Sequence, residues 1–203
     1  MRKDSVVFGI AGIFFGLLVG WIIGSQQAAP APQPAVATAT ANAAPAQTAP
    51  ALDESRAATL RSAAERDPRD AEARIELGNL YFDSERFEDA VKWYEQAVQV
   101  APQNVNASTD LGISYYYTNQ PDRALAQFDR SLAIDPNHSK TLLNVGIVRA
   151  FGKQDLEGAA KAFQRVLDVA PGSPEASAAR QALDGLRGAH PNVPGVTPKQ
   201  PGS

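Results

Sequence analysis

The sequence predicts an all-α fold: an α-solenoid of three helix-turn-helix repeats with an extra helix at each end, behind an N-terminal transmembrane helix and a disordered linker. Three observations lead there. A small pair, Leu77-Gly78, Leu111-Gly112 and Val145-Gly146, returns at a spacing of 34 residues, the sequence signature of a repeat architecture. Prolines follow at the same rhythm and end helices. Composition is uneven along the 203 residues, so that only Asp53 to Arg187 has the charge and apolar spacing of folded protein. About 135 residues suffice for a continuous core without disulfides or metal.

The first element is apolar. Val6 to Ile23 carries no charged residue, and its 18 residues as a helix rise roughly 27 Å, close to the hydrocarbon thickness of a bilayer. A cleaved signal peptide is the competing reading, although its apolar region is usually shorter. Arg2 and Lys3 precede the span and no charged residue lies between it and Asp53, which places residues 1–5 in the cytoplasm and the rest outside it. The expected location is the inner (cytoplasmic) membrane, single-pass, with a periplasmic C-terminal domain. Gly12, Gly16, Gly20 and Gly24 recur every four residues, a spacing that forms a self-association face for a homodimer, or reflects the ordinary abundance of glycine in membrane helices.

Residues 6–24 are therefore the anchor and 25–51 the linker. Rich in Ala, Pro, Gln and Thr, the linker lacks the side chains that offset ordering entropy. Fully extended it would reach roughly 80 Å. The repeat domain spans 52–187, with repeats at 71–104, 105–138 and 139–173, flanking helices at 53–66 and 174–187, and a disordered tail at 188–203.

Within each repeat the second helix has its own mark: Ala90 with Tyr94, Ala124 with Phe128, Ala159 with Phe163. Helices packed antiparallel need small residues where they approach, which accounts for Gly78, Gly112 and Gly146 on the first helix and the three alanines on the second. Asp67-Pro68, Ala101-Pro102, Asp135-Pro136 and Ala170-Pro171 end four successive helices, because proline biases its predecessor away from helical geometry. Asp70, Asn104 and Asn137 suit helix starts, and Pro121 and Pro174 a first helical position. The helices are expected near 71–83, 87–100, 105–117, 121–134, 139–151 and 156–169.

These residues resemble the tetratricopeptide repeat (TPR) family, whose unit has a Leu-Gly pair, a Tyr three residues on, then Ala with an aromatic four later, then Pro. Tyr81 and Tyr115 supply the tyrosine. The third unit departs, with Arg149 at that position and one extra residue, expected in the turn around Gly152 to Asp155. The family's Trp is replaced by Arg74, Ser108 and Leu142.

In the family the first helices line a concave groove that holds peptides or partner helices. The resemblance therefore implies a groove built from Asn79, Phe82 and Asp83; Asp110, Ile113, Tyr116 and Tyr117; and Lys140, Leu143, Asn144, Ile147 and Phe151. Tyr115 is expected inside the repeat, with Tyr116 and Tyr117 facing the groove or packing between repeats. A subclass of the family clamps a C-terminal carboxylate. Asn79 and Lys140 match that clamp, but Ile75, Asp110 and Asn144 stand where Lys, Asn and Arg would be, a charge pattern that weakens carboxylate binding. The anchored layout is similar to the TPR subunits of bacterial cytochrome c maturation.

Chemistry is sparse. The net charge of −3 and pI near 5.4 leave no footprint for nucleic acid. There is no cysteine, and the two histidines, His138 and His190, are read as surface residues rather than ligands, since metal sites need several convergent donors. No phosphate-binding glycine loop or nucleophile motif occurs, so no enzyme activity and no cofactor are expected. The function expected is a membrane-anchored scaffold or adaptor binding a protein or peptide segment, with a structural subunit of a permanent membrane complex as the alternative.

Overall fold

The computed structural model describes residues 50–195, and the expected anchor, its glycine face and nearly all of the linker lie outside them. Among the described residues there are eight α-helices and no strand. They are α1 (Glu54–Arg66), α2 (Ala71–Asp83), α3 (Phe87–Val100), α4 (Val105–Tyr117), α5 (Pro121–Ile134), α6 (Ser139–Ile147, continued by a π-helical turn Val148–Gly152), α7 (Leu156–Val169) and α8 (Pro174–Ala189). None is long and apolar enough to cross a membrane.

Helix starts follow local chemistry. The carboxylates of Asp53, Asp70 and Asp155, the Asn104 amide oxygen and the Ser173 hydroxyl each accept from a backbone N–H three residues on, satisfying one of the donors that a helix leaves open. Pro121 and Pro174 occupy first helical positions. Asn137 does not cap. The residue before α6 is His138, which makes no side-chain capping bond, while the Asn137 amide oxygen accepts from Arg165 at 3.1 Å.

Each helix packs against its neighbours in sequence, and α2–α3, α4–α5 and α6–α7 form the repeats. The glycine of each pair lies under an aromatic ring. A Cβ built on Gly78 would meet Tyr94 Cδ1 and Cε1 at 2.6 Å, and Gly112 and Gly146 stand in the same relation to Phe128 and Phe163. The glycine thus makes room for a ring of the second helix. Ala90, Ala124 and Ala159 are fully buried beside it. Two apolar clusters result, one over the first two repeats and one over the third with α8, and Leu132 packs against both.

The position of the missing Trp is filled in three ways. Arg74, only 8% exposed, donates to the carbonyls of Ala64, Asp67 and Asp70, tying the end of α1 to the start of α2. Ser108 lies inside a polar knot with Gln127 (2.7 Å) and Ser131 (2.8 Å). Leu142 is ordinary apolar core. No buried side-chain donor or acceptor among the described residues lacks a partner, as a stable interior requires.

The extra residue of the third repeat is not in the turn. In the first two repeats the chain closes by bonds from Arg86 N to Tyr81 O (2.9 Å) and from Gln120 N to Tyr115 O (2.8 Å); in the third, Asp155 N reaches Arg149 O (2.8 Å), one residue wider. Helix α6 absorbs the residue by widening into the π-helical turn. Inserted residues are often taken up this way, as single-turn π-bulges. The turns themselves stay alike, each with one residue at positive φ: Glu85, Asn119 and Gln154.

At the far end α8 runs to Ala189 rather than stopping at 187, and Val193 packs back on the second cluster. The ordered chain therefore continues past the expected start of the tail, because Val193 offers apolar surface that the cluster covers.

Candidate functional site

The first helices approach one another, α4 meeting α6 and α6 meeting α8, whereas the second helices α3, α5 and α7 have no comparable mutual contact. The array therefore curves with the first helices on the inner side. Polar bonds secure these approaches. Thr109 and Thr141, both fully buried, share a hydroxyl bond of 2.7 Å between α4 and α6, and His138 Nδ1 lies 2.7 Å from Thr141 Oγ1 while its Nε2 lies 3.1 Å from Asn106 Oδ1. His138 is half-buried and joins two repeats, so it is not the free surface residue expected. Burial holds its pKa below the ordinary value.

The twelve residues expected in the groove divide into three groups. The first is polar and lies on the inner side between α1, α2 and α4. Asn79 Oδ1 accepts from the Tyr94 hydroxyl at 2.6 Å, Asp110 is bonded to Lys140 at 2.5 Å, and Asp83 is exposed at the last position of α2. Asp83 has its pKa raised by burial of the carboxyl and by the charge of Asp110, against the opposing effect of Arg56. Burial also raises the Tyr94 hydroxyl well above its usual value, with Asp110 and Asp83 adding to it. On α6, the Asn144 amide turns back to the Lys140 carbonyl at 2.8 Å.

The second group is aromatic and sits where the first helices end. Phe82 packs edge-on to Phe87 (centroids 5.1 Å apart) and Tyr117 (5.2 Å), and Phe87 lies 4.5 Å from Tyr117. Such ring pairs contribute about 0.5–1.5 kcal/mol beyond their area. Tyr117 thus packs from the second repeat onto the first, with burial pushing its hydroxyl up to about 12. Tyr116 points the other way: its ring lies beside Gly152 of the third repeat. The expectation that both rings face the groove gives way to packing between repeats, which leaves them half-buried.

The third group is apolar. Ile113 and Ile147 are half-buried against the two clusters, but Leu143 is only 8% exposed and belongs to the core. Its position in the helix faces α7 and α8 rather than the inner surface, so it leaves the groove. Phe151, in the π-helical turn, is 44% exposed and is the one large hydrophobic residue so exposed among those described.

Tyr115 is buried inside the repeat, as expected, with Arg123 stacked 4.0 Å over its ring and its hydroxyl donating to Glu95 at 2.7 Å. Three participants were not legible in the sequence: Tyr94 as a polar contributor, Phe87 as a member of the aromatic group, and Arg56 beside Asp83. Tyr94 carried a signal only for packing, and Phe87 and Arg56 carried none. No group of His, Cys, Asp or Glu among the described residues has the arrangement of a metal site.

Comparison with known proteins follows this geometry. Two family models described as tetratricopeptide repeat match, one over residues 69–137 and one over 109–174. A search of curated proteins finds no match. Among solved structures, a MamA RS-1 double mutant is similar with TM-score 0.60 and 19% identity, covering 70% of this chain and 78% of that one. The first TPR domain of Spaghetti (RPAP3) bound to the HSP90 peptide SRMEEVD is similar with TM-score 0.52 and 26% identity, covering 59% of this chain and 95% of that one. The Arabidopsis OM64 TPR domain is similar with TM-score 0.54 and 21% identity, covering 59% and 95% respectively.

Proposed function

Because this chain carries tetratricopeptide repeats across residues 69–174, we propose that it is a membrane-anchored scaffold that holds a protein or peptide segment on the inner side of its helical array. The observation that carries the reading is the repeat architecture itself, supported by a similar domain, 26% identical, that holds a peptide. Stacked helix pairs of this kind build an extended surface of the sort repeat proteins use for binding. The inner side also offers a graded set of groups: Asn79 and Asp83 at one end, the Asp110–Lys140 pair in the middle, Ile113 and Ile147 beside it, and Phe151 at the edge.

The anchor belongs to the same proposal. The uncharged run Val6 to Ile23 is long enough to span a bilayer, and the linker would let the array search the space above it. On the charge bias around that run, the array works on the periplasmic side of the inner membrane, in assembly of an envelope complex such as cytochrome c maturation. Membrane helices meeting through Gly12, Gly16, Gly20 and Gly24 would make the scaffold two-headed.

The test is photocrosslinking in native membranes, with photoreactive side chains at Asn79, Phe82 and Phe151 on one side and at the exposed Gln96, Arg130 and Gln164 of the second helices on the other. A single protein species crosslinked from the first set and absent from the second is expected. Crosslinks confined to the second set would overturn the assignment of the binding face.

A further inference from the structure

The inner side holds one carboxylate placed against its own stability. Asp83 is the last residue of α2, where the helix dipole presents its negative end and disfavours an acid. Burial of the carboxyl and the charge of Asp110 both oppose its ionisation. Relief from within the chain is already taken. Arg56, the cation acting on it, is bonded to Glu76 at 2.8 Å, and Lys140 is bonded to Asp110 at 2.5 Å. A residue that breaks local rules without a compensating partner marks a place where function overrides stability.

Resting on the reading of the preceding subsection, we propose that the inner side takes a protein segment bearing a Lys or Arg side chain, which pairs with Asp83, next to an apolar residue seated against Ile113. An incoming cation would relieve both the dipole and the repulsion from Asp110 at once. Asn79, whose amide oxygen accepts from Tyr94, retains amide N–H groups to donate to the backbone of such a segment. An acidic segment such as SRMEEVD, which the similar RPAP3 domain holds, would set its own charges against Asp83, and like-charge juxtaposition works strongly against a wrong partner. The inner side is thus selective for charge, in the sense opposite to a carboxylate clamp.

The test uses the full chain in non-ionic detergent and two fluorescent peptides with blocked ends: one of Ser and Leu interrupted by Lys, and the same peptide with Glu in place of Lys. The Lys peptide is expected to bind, with affinity falling as salt is raised. Asp83→Lys is expected to weaken it by about tenfold or more, a change of about 1.4 kcal/mol, and to improve binding of the Glu peptide. Folding is a safe control, because a cation at this helix end agrees with the dipole, so the variant should keep the helical circular dichroism of the parent. Equal binding of the two peptides, or a preference that Asp83→Lys does not move, overturns the charge inference and leaves the scaffold reading standing. Binding of neither peptide by either protein counts against both.

Discussion

The second and third repeats are built on the same helix pair and part company where its first helix ends. In both, a glycine lies beneath an aromatic ring, Gly112 under Phe128 and Gly146 under Phe163, and in both the alanine beside the ring is fully buried. Beyond that point α4 finishes on Tyr115, Tyr116 and Tyr117, with Arg123 stacked over Tyr115 and held to Glu95 at 2.9 Å. Helix α6 has no ring there. Arg149 stands in its place, pairs with Asp155 at 2.7 Å, and the helix widens by one residue into the turn that exposes Phe151. The difference teaches that the repeat tolerates change in its outer turn as long as the ring-on-glycine contact is kept.

The largest effect should come from the shared contact. Phe128→Ala and Phe163→Ala are each expected to cost about 3–5 kcal/mol, the range for emptying a buried aromatic site. Urea unfolding followed by circular dichroism would measure this, with hydrogen exchange locating the loss, since repeat arrays open locally. A loss at one position several-fold smaller than at the other would break the claim that the two pairs are equivalent.

A smaller effect should sharpen the difference. Tyr115→Phe removes a hydroxyl bonded to Glu95 and Arg123 and is expected to cost about 1–2 kcal/mol, the range for a lost hydrogen bond with charged partners. Arg149→Ala removes an ion pair whose two side chains are each 41% exposed, expected to cost less than about 1 kcal/mol. Equal losses in the same unfolding measurement would show that the arginine closes its turn as firmly as the tyrosine does.

The smallest effect lies at the junction of the two repeats. Burial, the largest influence on His138, lowers its pKa in the folded chain below the ordinary 6.5; Asp135, Asp110 and Glu175 act to raise it and Lys140 to lower it. Folding therefore disfavours the imidazolium. Stability from this group is fully present above the unfolded pKa and declines as the pH falls below about 6.5 toward the lower folded value. His138→Gln should flatten that part of the stability profile between pH 7 and pH 5, and an unchanged slope would assign the pH dependence to other groups.

Much of the fold was legible because its determinants are local or periodic. Asp70 and Asn104 announce helix starts by their own side chains, and the prolines after Asp67, Ala101, Asp135 and Ala170 announce the ends. Asn137 misled because its neighbour His138 stands one residue nearer the helix and Arg165 draws the Asn137 amide away. The inner side was less legible. Twelve residues share the helical register of a groove, but register does not say which will be covered: Leu143 is taken by the core, and Tyr116 and Tyr117 by the neighbouring repeats. Arg56 was invisible as a neighbour of Asp83, because the two are brought together only when α1 packs on α2.

What the sequence by itself determined is the repeat length, the helix boundaries within a residue or two, and the small residues that let each pair close, since all of these follow from backbone geometry and side-chain size at fixed spacing. Only the tertiary structure decided that Lys140 is consumed by Asp110, that Asp83 is left without a bonded cation among the described residues, and that the extra residue of the third repeat widens a helix instead of lengthening a turn. These depend on how far each repeat rotates against the next, an angle set by the sum of many packing contacts and carried by no single residue.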